Sequence, residues 1–233
     1  MIRFVNTETR PLRADAERNR KRLLDAAAEV FAERGLEAST AEIARRAGVG
    51  QGTVFRRFPT KDDLVAAIVA DRLAQITERA RSLANDPPAD GAVLAFMAEL
   101  ASMHVRDRGL IEAVNGTRAL ADPAVHDAHG ELLDVLEDVV KVDREAGLVR
   151  ADLGAFDVMA LSKAVASACE PGINTAGWKR YLAVVAAGLG PSDQKLPGRA
   201  PTRAQLDRLL AEMSAQKTQG PLDERARGLP SEA

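Results

Sequence analysis

The chain has 233 residues, 46% hydrophobic and 28% charged, with a formal net charge of −2. That is enough for one or two domains with a real core, and no apolar run approaches the ~18–20 residues that cross a bilayer. The first residues show no signal-peptide pattern, and the one cysteine, Cys169, makes neither an internal disulfide nor a cysteine zinc cluster, so a reducing cytoplasm is the expected compartment. The small net charge hides an uneven spread, since residues 1–60 carry a balance of +4 and the remainder −6. A basic head on an acidic body suits a nucleic-acid reader joined to something else, although solvated helices can carry the same bias.

The periodicity is helical throughout and no segment reads as a strand. A first helix is expected from about Asp15 to Arg34, with Leu24, Ala27, Ala28 and Phe31 on one stripe, ended by Gly35. Ser39 or Thr40 then caps a short helix that stops at Gly48. A second short helix covers Gln51 to Arg57 before Pro59. Thr60 with Asp63 fits a capping box for a long helix reaching about Leu83. After the breaker Asn85-Asp86-Pro87-Pro88, helices are expected near 90–104, 108–119, 123–145, 154–169, 175–188 and 202–216. This is an all-α chain of about nine helices. Residues 1–11 and 217–233 read as disordered tails, 12–60 as a DNA-binding unit and 61–216 as a second helical unit.

The informative stretch runs from Thr40 to Phe58. Two helices crossing steeply through a short turn need a small residue at the crossing, a turn residue tolerant of positive φ, and apolar inner faces. Ala44, Gly48, and the set Ile43, Ala47, Val49 and Val54 meet all three needs in register. The second helix of such a pair enters the major groove of duplex DNA. Its outward residues are Gln51, Thr53 and Arg56, with Arg57 at the edge of that face. Gln pairs bidentately with adenine and Arg with guanine, and Gly52 allows close backbone approach. Thr40 and Lys61 open the flanking helices and suit phosphates. The bland alternative is a helical hairpin with a solvated basic face.

Taken together, Arg22-Leu23-Leu24-Asp25-Ala26-Ala27, Phe31-Ala32-Glu33-Arg34-Gly35, the Thr40–Val49 motif and Gly52-Thr53-Val54-Phe55-x2-Phe58-Pro59-x-Lys61-x2-Leu64 resemble the TetR family of bacterial regulators. The resemblance implies a homodimer with a three-helix DNA head and a helical ligand and dimer domain. It also implies a repressor that leaves a near-palindromic operator when a small-molecule effector binds. The chain departs from the family at two positions, with Gly50 where serine is usual and Phe55 where tyrosine is usual. Phe55 keeps its place among the DNA-binding candidates, but without a hydroxyl a packing role is expected. The N-terminal arm, with Arg10, Arg13, Arg18, Arg20, Lys21 and Arg22, either follows DNA or is a solubilising tail.

Farther along, Gly147-Leu148-Val149-Arg150-x-Asp152 resembles the family's approach to its last two long helices, which form a four-helix bundle with their partners. Met159, Ala160, Val165, Ala166, Leu182, Val185 and Leu189 are the expected bundle faces, unless they bury each other within one chain. On the same resemblance, Phe96, Met97, Met103, His104, Val114 and Met159 lie on cavity-lining helices; Phe96, Met103, His104, Val114 and Met159 are candidate ligand contacts, although a Met or Phe at helical spacing is more often core. Trp178 and Tyr181 are expected at a pocket or a dimer seam, with Trp178 taken as a ligand contact. His126 and His129 have metal-ligand spacing, but a solvated polar face is the expected reading, and no metal or cofactor is expected. The chain carries none of the nucleotide-binding, serine-hydrolase or zinc-protease motifs, so no enzymatic role is expected. A ligand-independent DNA-binding protein or activator is the alternative.

Overall fold

A computed structural model describes residues 9–107, 119–168, 177–205 and 208. Among these there is no strand and, besides helical residues at 203–205 and 208, there are eight bounded α-helices. They are α1 (Thr9–Arg34), α2 (Thr40–Ala47), α3 (Gln51–Arg57), α4 (Lys61–Asn85), α5 (Ala92–Arg106), α6 (Pro123–Glu145), α7 (Ala155–Ser167) and α8 (Gly177–Leu189), with 3-10 turns at Gly35–Glu37 and Ala119–Ala121. The expected helix over 108–119 lies outside the described residues apart from Ala119, as do most of 202–216 and the tail after 217. At the other end α1 starts at Thr9, so Thr9, Arg10 and Pro11 are helical rather than tail. A proline is tolerated in a helix's first turn, where its missing N–H would have no partner.

The helices begin and end where local chemistry says they should. Ser39 rather than Thr40 caps α2, its hydroxyl accepting from the Glu42 amide at 3.2 Å. The capping box at α4 is complete, with the Asp63 amide on Thr60 Oγ1 at 3.1 Å and the Thr60 amide on Asp63 Oδ2 at 2.9 Å. Asp122 caps α6 by accepting from the Ala124 amide at 2.8 Å, with Pro123 in the first turn.

One continuous core runs from Leu23 to Leu189. α4 belongs to both of its ends. Its Leu64, Val65, Ala66 and Ile68 are buried near α1, and its Leu73, Ala80 and Leu83 farther along. α4 packs most extensively on α6, whose Val125, Leu132, Leu133, Leu136, Val139 and Val140 are buried. α5 is pinned to α6 by a buried carboxylate. Asp143, 1% exposed, accepts from the Ala92 amide on one oxygen and the Val93 amide on the other, each at 2.8 Å. It thereby satisfies two N–H groups that the start of a helix leaves without partners. Gly91 lies beside it with φ 101°, and a Cβ there would come within 2.7 Å of the Asp143 carboxylate.

The segment after α8 folds back over this body. The Arg150 amide donates to the Leu189 carbonyl at 2.9 Å, and the Arg150 guanidinium binds Asp152 and the Gln194 carbonyl. The Leu196 amide donates to Asp152 at 2.7 Å, and Arg203 pairs with Asp134. Arg150 first, and the Leu196 amide second, hold the Asp152 carboxyl at a pKa of about 2.

Two measurements check these contacts. Asp143→Ala leaves two buried N–H groups without acceptors and is expected to cost about 2–4 kcal/mol in urea unfolding. Asp143→Asn, which keeps one acceptor, recovers part of that loss. Because the folded state depresses the Asp152 pKa, its latch is present above the ordinary carboxylate range and is lost only as the pH falls toward about 2. Protection of the Leu196 amide in hydrogen exchange should therefore persist at pH 4 in the parent chain and be weakened in Arg150→Ala.

Candidate nucleic-acid interface

The sequence places Ala44, Gly48 and Val49 so that α3 can cross α2 closely, and the structure builds that turn. Gly48 adopts φ 67° and ψ 32°, the left-handed conformation that glycine takes without a Cβ penalty. The Val49 amide then reaches back to the Ala44 carbonyl at 3.0 Å and the Gly48 amide to Arg45 at 3.2 Å. Ile43, Ala44, Ala47 and Val54 are all buried, and Val49 is half-buried against them. Gly50 occupies the cap of α3 in extended conformation and accepts from the Thr53 amide at 2.9 Å through its carbonyl, with no side-chain cap.

Val54 turns inward from α3, and Phe58, just past its end, does the same, so the rest of this seven-residue helix faces out. Gln51, Gly52, Thr53, Phe55, Arg56 and Arg57 are exposed, and Thr40 is half-buried at the start of α2. The packing role expected for Phe55 is overturned, because its side chain is 47% exposed. Val54 and Phe58, four apart, already fill the inner face, and a residue one step from Val54 is rotated about 100° away from it. Arg56 is steadied by its own helix, its Nε donating to the Gly52 carbonyl at 3.2 Å. Lys61 is exposed but engaged, its ammonium donating to the Leu36 carbonyl at 2.6 Å. It retains further N–H donors, since an ammonium has three.

The sequence reading missed how the surrounding charges are sorted. Arg46 forms a two-pronged pair with Glu33 of α1 at 2.7 and 2.8 Å, which lowers the Glu33 pKa and raises that of Arg46. Arg34 pairs with Glu42 at 3.2 Å. Arg45, by contrast, is 80% exposed and its nearest acid, Glu42, is 3.9 Å away. Such partners are set by which helices meet, thirteen residues apart in the case of Arg46 and Glu33, so spacing along the chain carries no trace of them.

The residues expected around a ligand are divided. Phe96 and Met97 are buried in the main core, 1% and 0% exposed, and Met159 is half-buried against it. Trp178 packs instead in a smaller cluster with Ala101, Val165 and Ala166, and its ring has the Lys179 ammonium 5.6 Å from its centre. Met103 and His104 are half-buried near the end of α5. Val114 and Cys169 lie outside the described residues. His126 and His129 do not form a fully solvated face. Both are half-buried, and burial, then the charge of Lys163, lowers the His129 pKa. Among the described residues no cluster of three or more His, Cys, Asp or Glu is placed to hold a metal, and no helix is long and apolar enough to cross a membrane.

The expected bundle faces also shift. Val165, Ala166 and Leu189 are buried within the chain, and Leu182 and Val185 pack against its core. Ala160, one of the expected residues, does stay exposed. Ala164 and Ala168, at the end of α7, are exposed with it, and the exposed residues of α8 include Tyr181, Val184 and Gly188, with Val184 68% exposed.

Comparison with known proteins follows the same division. Residues 23–68 match the model described as "Bacterial regulatory proteins, tetR family". Residues 88–191 match the model "Transcriptional regulator SbtR-like, C-terminal domain". An HTH-type transcriptional repressor of Mycobacterium tuberculosis is 42% identical over 85 residues, which is 36% of this chain and 44% of that protein; the chain thus spans under half the length of this curated relative. A TetR transcription regulatory protein from Mycobacterium vanbaalenii is 36% identical in its crystal structure, with a TM-score of 0.61, over 77% of this chain and 99% of the other. A TetR transcriptional regulator from Streptomyces coelicolor is 28% identical, with a TM-score of 0.62, over 74% and 99%.

The exposed face of α3 yields a ranking. Arg56→Ala should weaken binding to a selected duplex by about 5- to 100-fold and relax preference at one base, as loss of a base contact does. Arg57→Ala should weaken binding evenly across sequences and lower the salt slope by about one. Equal effects in a mobility-shift titration would remove the ranking.

Proposed function

The chain belongs to the TetR family of bacterial regulatory proteins, and on that premise we propose that it is a homodimeric repressor that binds a near-palindromic DNA operator and leaves it when a small molecule binds. The carrying observation is α3, a helix with one buried residue and six exposed ones, set across α2 by the Gly48 turn. Gln51 and Arg56 offer the bidentate partners for adenine and guanine, Thr53 a hydroxyl, and Phe55 an apolar surface for a thymine methyl. In this reading the exposed ring of Phe55 takes over a base contact where a hydroxyl would reach a phosphate. Thr40, Arg57 and Lys61 hold the backbone, joined by the exposed Arg45. Gly52 keeps the helix surface low enough for close approach.

The dimer reading rests on the stripe Tyr181, Val184 and Gly188 beside Ala160, Ala164 and Ala168. Small residues let helices approach, and Val184 is a large apolar side chain left in water. Two heads on one duplex need recognition helices about 34–36 Å apart, or a multiple of that. The effector reading rests on the body itself, which carries Phe96, Met103, His104, Met159 and Trp178 on α5, α7 and α8. The regulator relatives named above support a role in transcription rather than catalysis.

Selection of bound duplexes from random DNA tests the reading. Two inverted half-sites separated by a helical turn are the expected product, and enrichment of a single unpaired site would overturn the dimeric part. Val184→Arg should convert the dimer to monomer in sedimentation and reduce operator binding to the non-specific level. A small-molecule screen for release of the selected operator tests the effector, and its complete failure would favour the ligand-independent alternative.

A further inference from the structure

α1 and α4 meet through reciprocal charges. Arg20 of α1 lies 3.7 Å from Asp71 of α4, and Asp25 of α1 lies 3.8 Å from Arg72 of α4. Gln75, one turn on, joins the two α4 residues. Its side-chain oxygen accepts from Arg72 at 3.1 Å, and its amide nitrogen donates to Asp71 at 2.7 Å. The acid and the base that α4 shows to α1 are therefore held relative to one another. Arg72 has a third neighbour. Its Nε is 4.0 Å from Asp107, the residue that closes α5. One guanidinium thus sits between a carboxylate of the DNA-binding head and a carboxylate of the body. Its side chain is 28% exposed and those of Asp25 and Asp107 are 41% and 30%, so the group is only partly screened by water.

The position of this junction matters more than its strength. Arg72 lies eleven residues beyond Lys61, about 17 Å along α4 from the end that carries α3. A small rotation of α1 on α4 at that level is magnified at the recognition helix. In a protein with two heads, that rotation changes the distance between recognition helices, which the pitch of DNA holds to a narrow range. We propose that Arg72 is a positioning residue that fixes the head against the body and so sets the half-site spacing the protein accepts. The inference rests on the reading of the chain as a dimeric operator-binding regulator. It assigns Arg72 no contact with DNA. An arginine suits this place because its fork presents Nη1 to one acid and Nε to another in a fixed plane, which a lysine cannot do.

The test uses the full chain and the duplex obtained by selection, together with duplexes whose centre is lengthened or shortened by one base pair. The parent protein should discriminate sharply among the three. R72A and R72K should bind the matched duplex about 3- to 10-fold more weakly, and their penalty for altered spacing should shrink by a similar factor. D107N should act alike, and adding it to R72A should change little further, because both remove the same contact. A residue that merely stabilised the fold would lower the melting temperature and weaken all three duplexes equally, and that result overturns the proposal. Should R72A fail to fold, R72K and D107N carry the same comparison. A parent chain with no spacing preference overturns both the dimeric reading and the inference. A parent chain with a sharp preference that R72K and D107N share overturns the inference alone.

Discussion

The packing of α4 against α6 is the interaction on which the molecule depends. α4 is 25 residues long, which at 1.5 Å per residue makes a rod of about 37 Å. Its first turns supply the floor of the DNA-binding head, and its later turns lie on α6 in the body. The two functional halves therefore share a helix and one continuous core. The chain passes from α3 directly into α4 through the short connection 58–60.

The rest of the architecture keeps that rod in place. Asp143 ties α5 to α6, and α5 in turn lies on α7 and α8. On the head side, the close crossing of α2 and α3 is made of small residues, with Ala44 and Ala47 buried and Gly48 in the turn. The chain is only 3% aromatic, so its core is built largely from alanine, valine and leucine at short helix-to-helix distances. Such a core leaves few large side chains to absorb a shift, and a displacement in one helix is passed to its neighbour. That is a physical basis for the proposed route from an effector held among α5, α7 and α8 to the exposed face of α3.

Charge plays a different part in the two halves. In the head it is sorted into pairs that hold helices, such as Arg46 with Glu33, and groups left in water, such as Arg45 and the outer face of α3. In the body it fastens the returning segment after α8, through Arg150, Asp152 and Arg203. Exposed pairs of this kind add little stability individually. Their value is geometric, since each fixes which face one element shows to the next.

Local rules determined much of this protein from the sequence alone. The all-helical fold, the ends of α2, α3 and α6, the Thr60–Asp63 capping box and the Gly48 turn all follow from interactions and backbone preferences local to a few neighbouring residues. The inward residues of the helix-turn-helix were legible for the same reason, because helical period assigns faces. What the tertiary structure decided is everything that depends on a second helix. The removal of Arg46 into a pair with Glu33, the burial of Val165, Ala166 and Leu189 within the chain, and the placing of Arg72 between Asp25 and Asp107 involve partners 13 or more residues away. A periodic pattern says that a face is buried, but only the packed helices say against what.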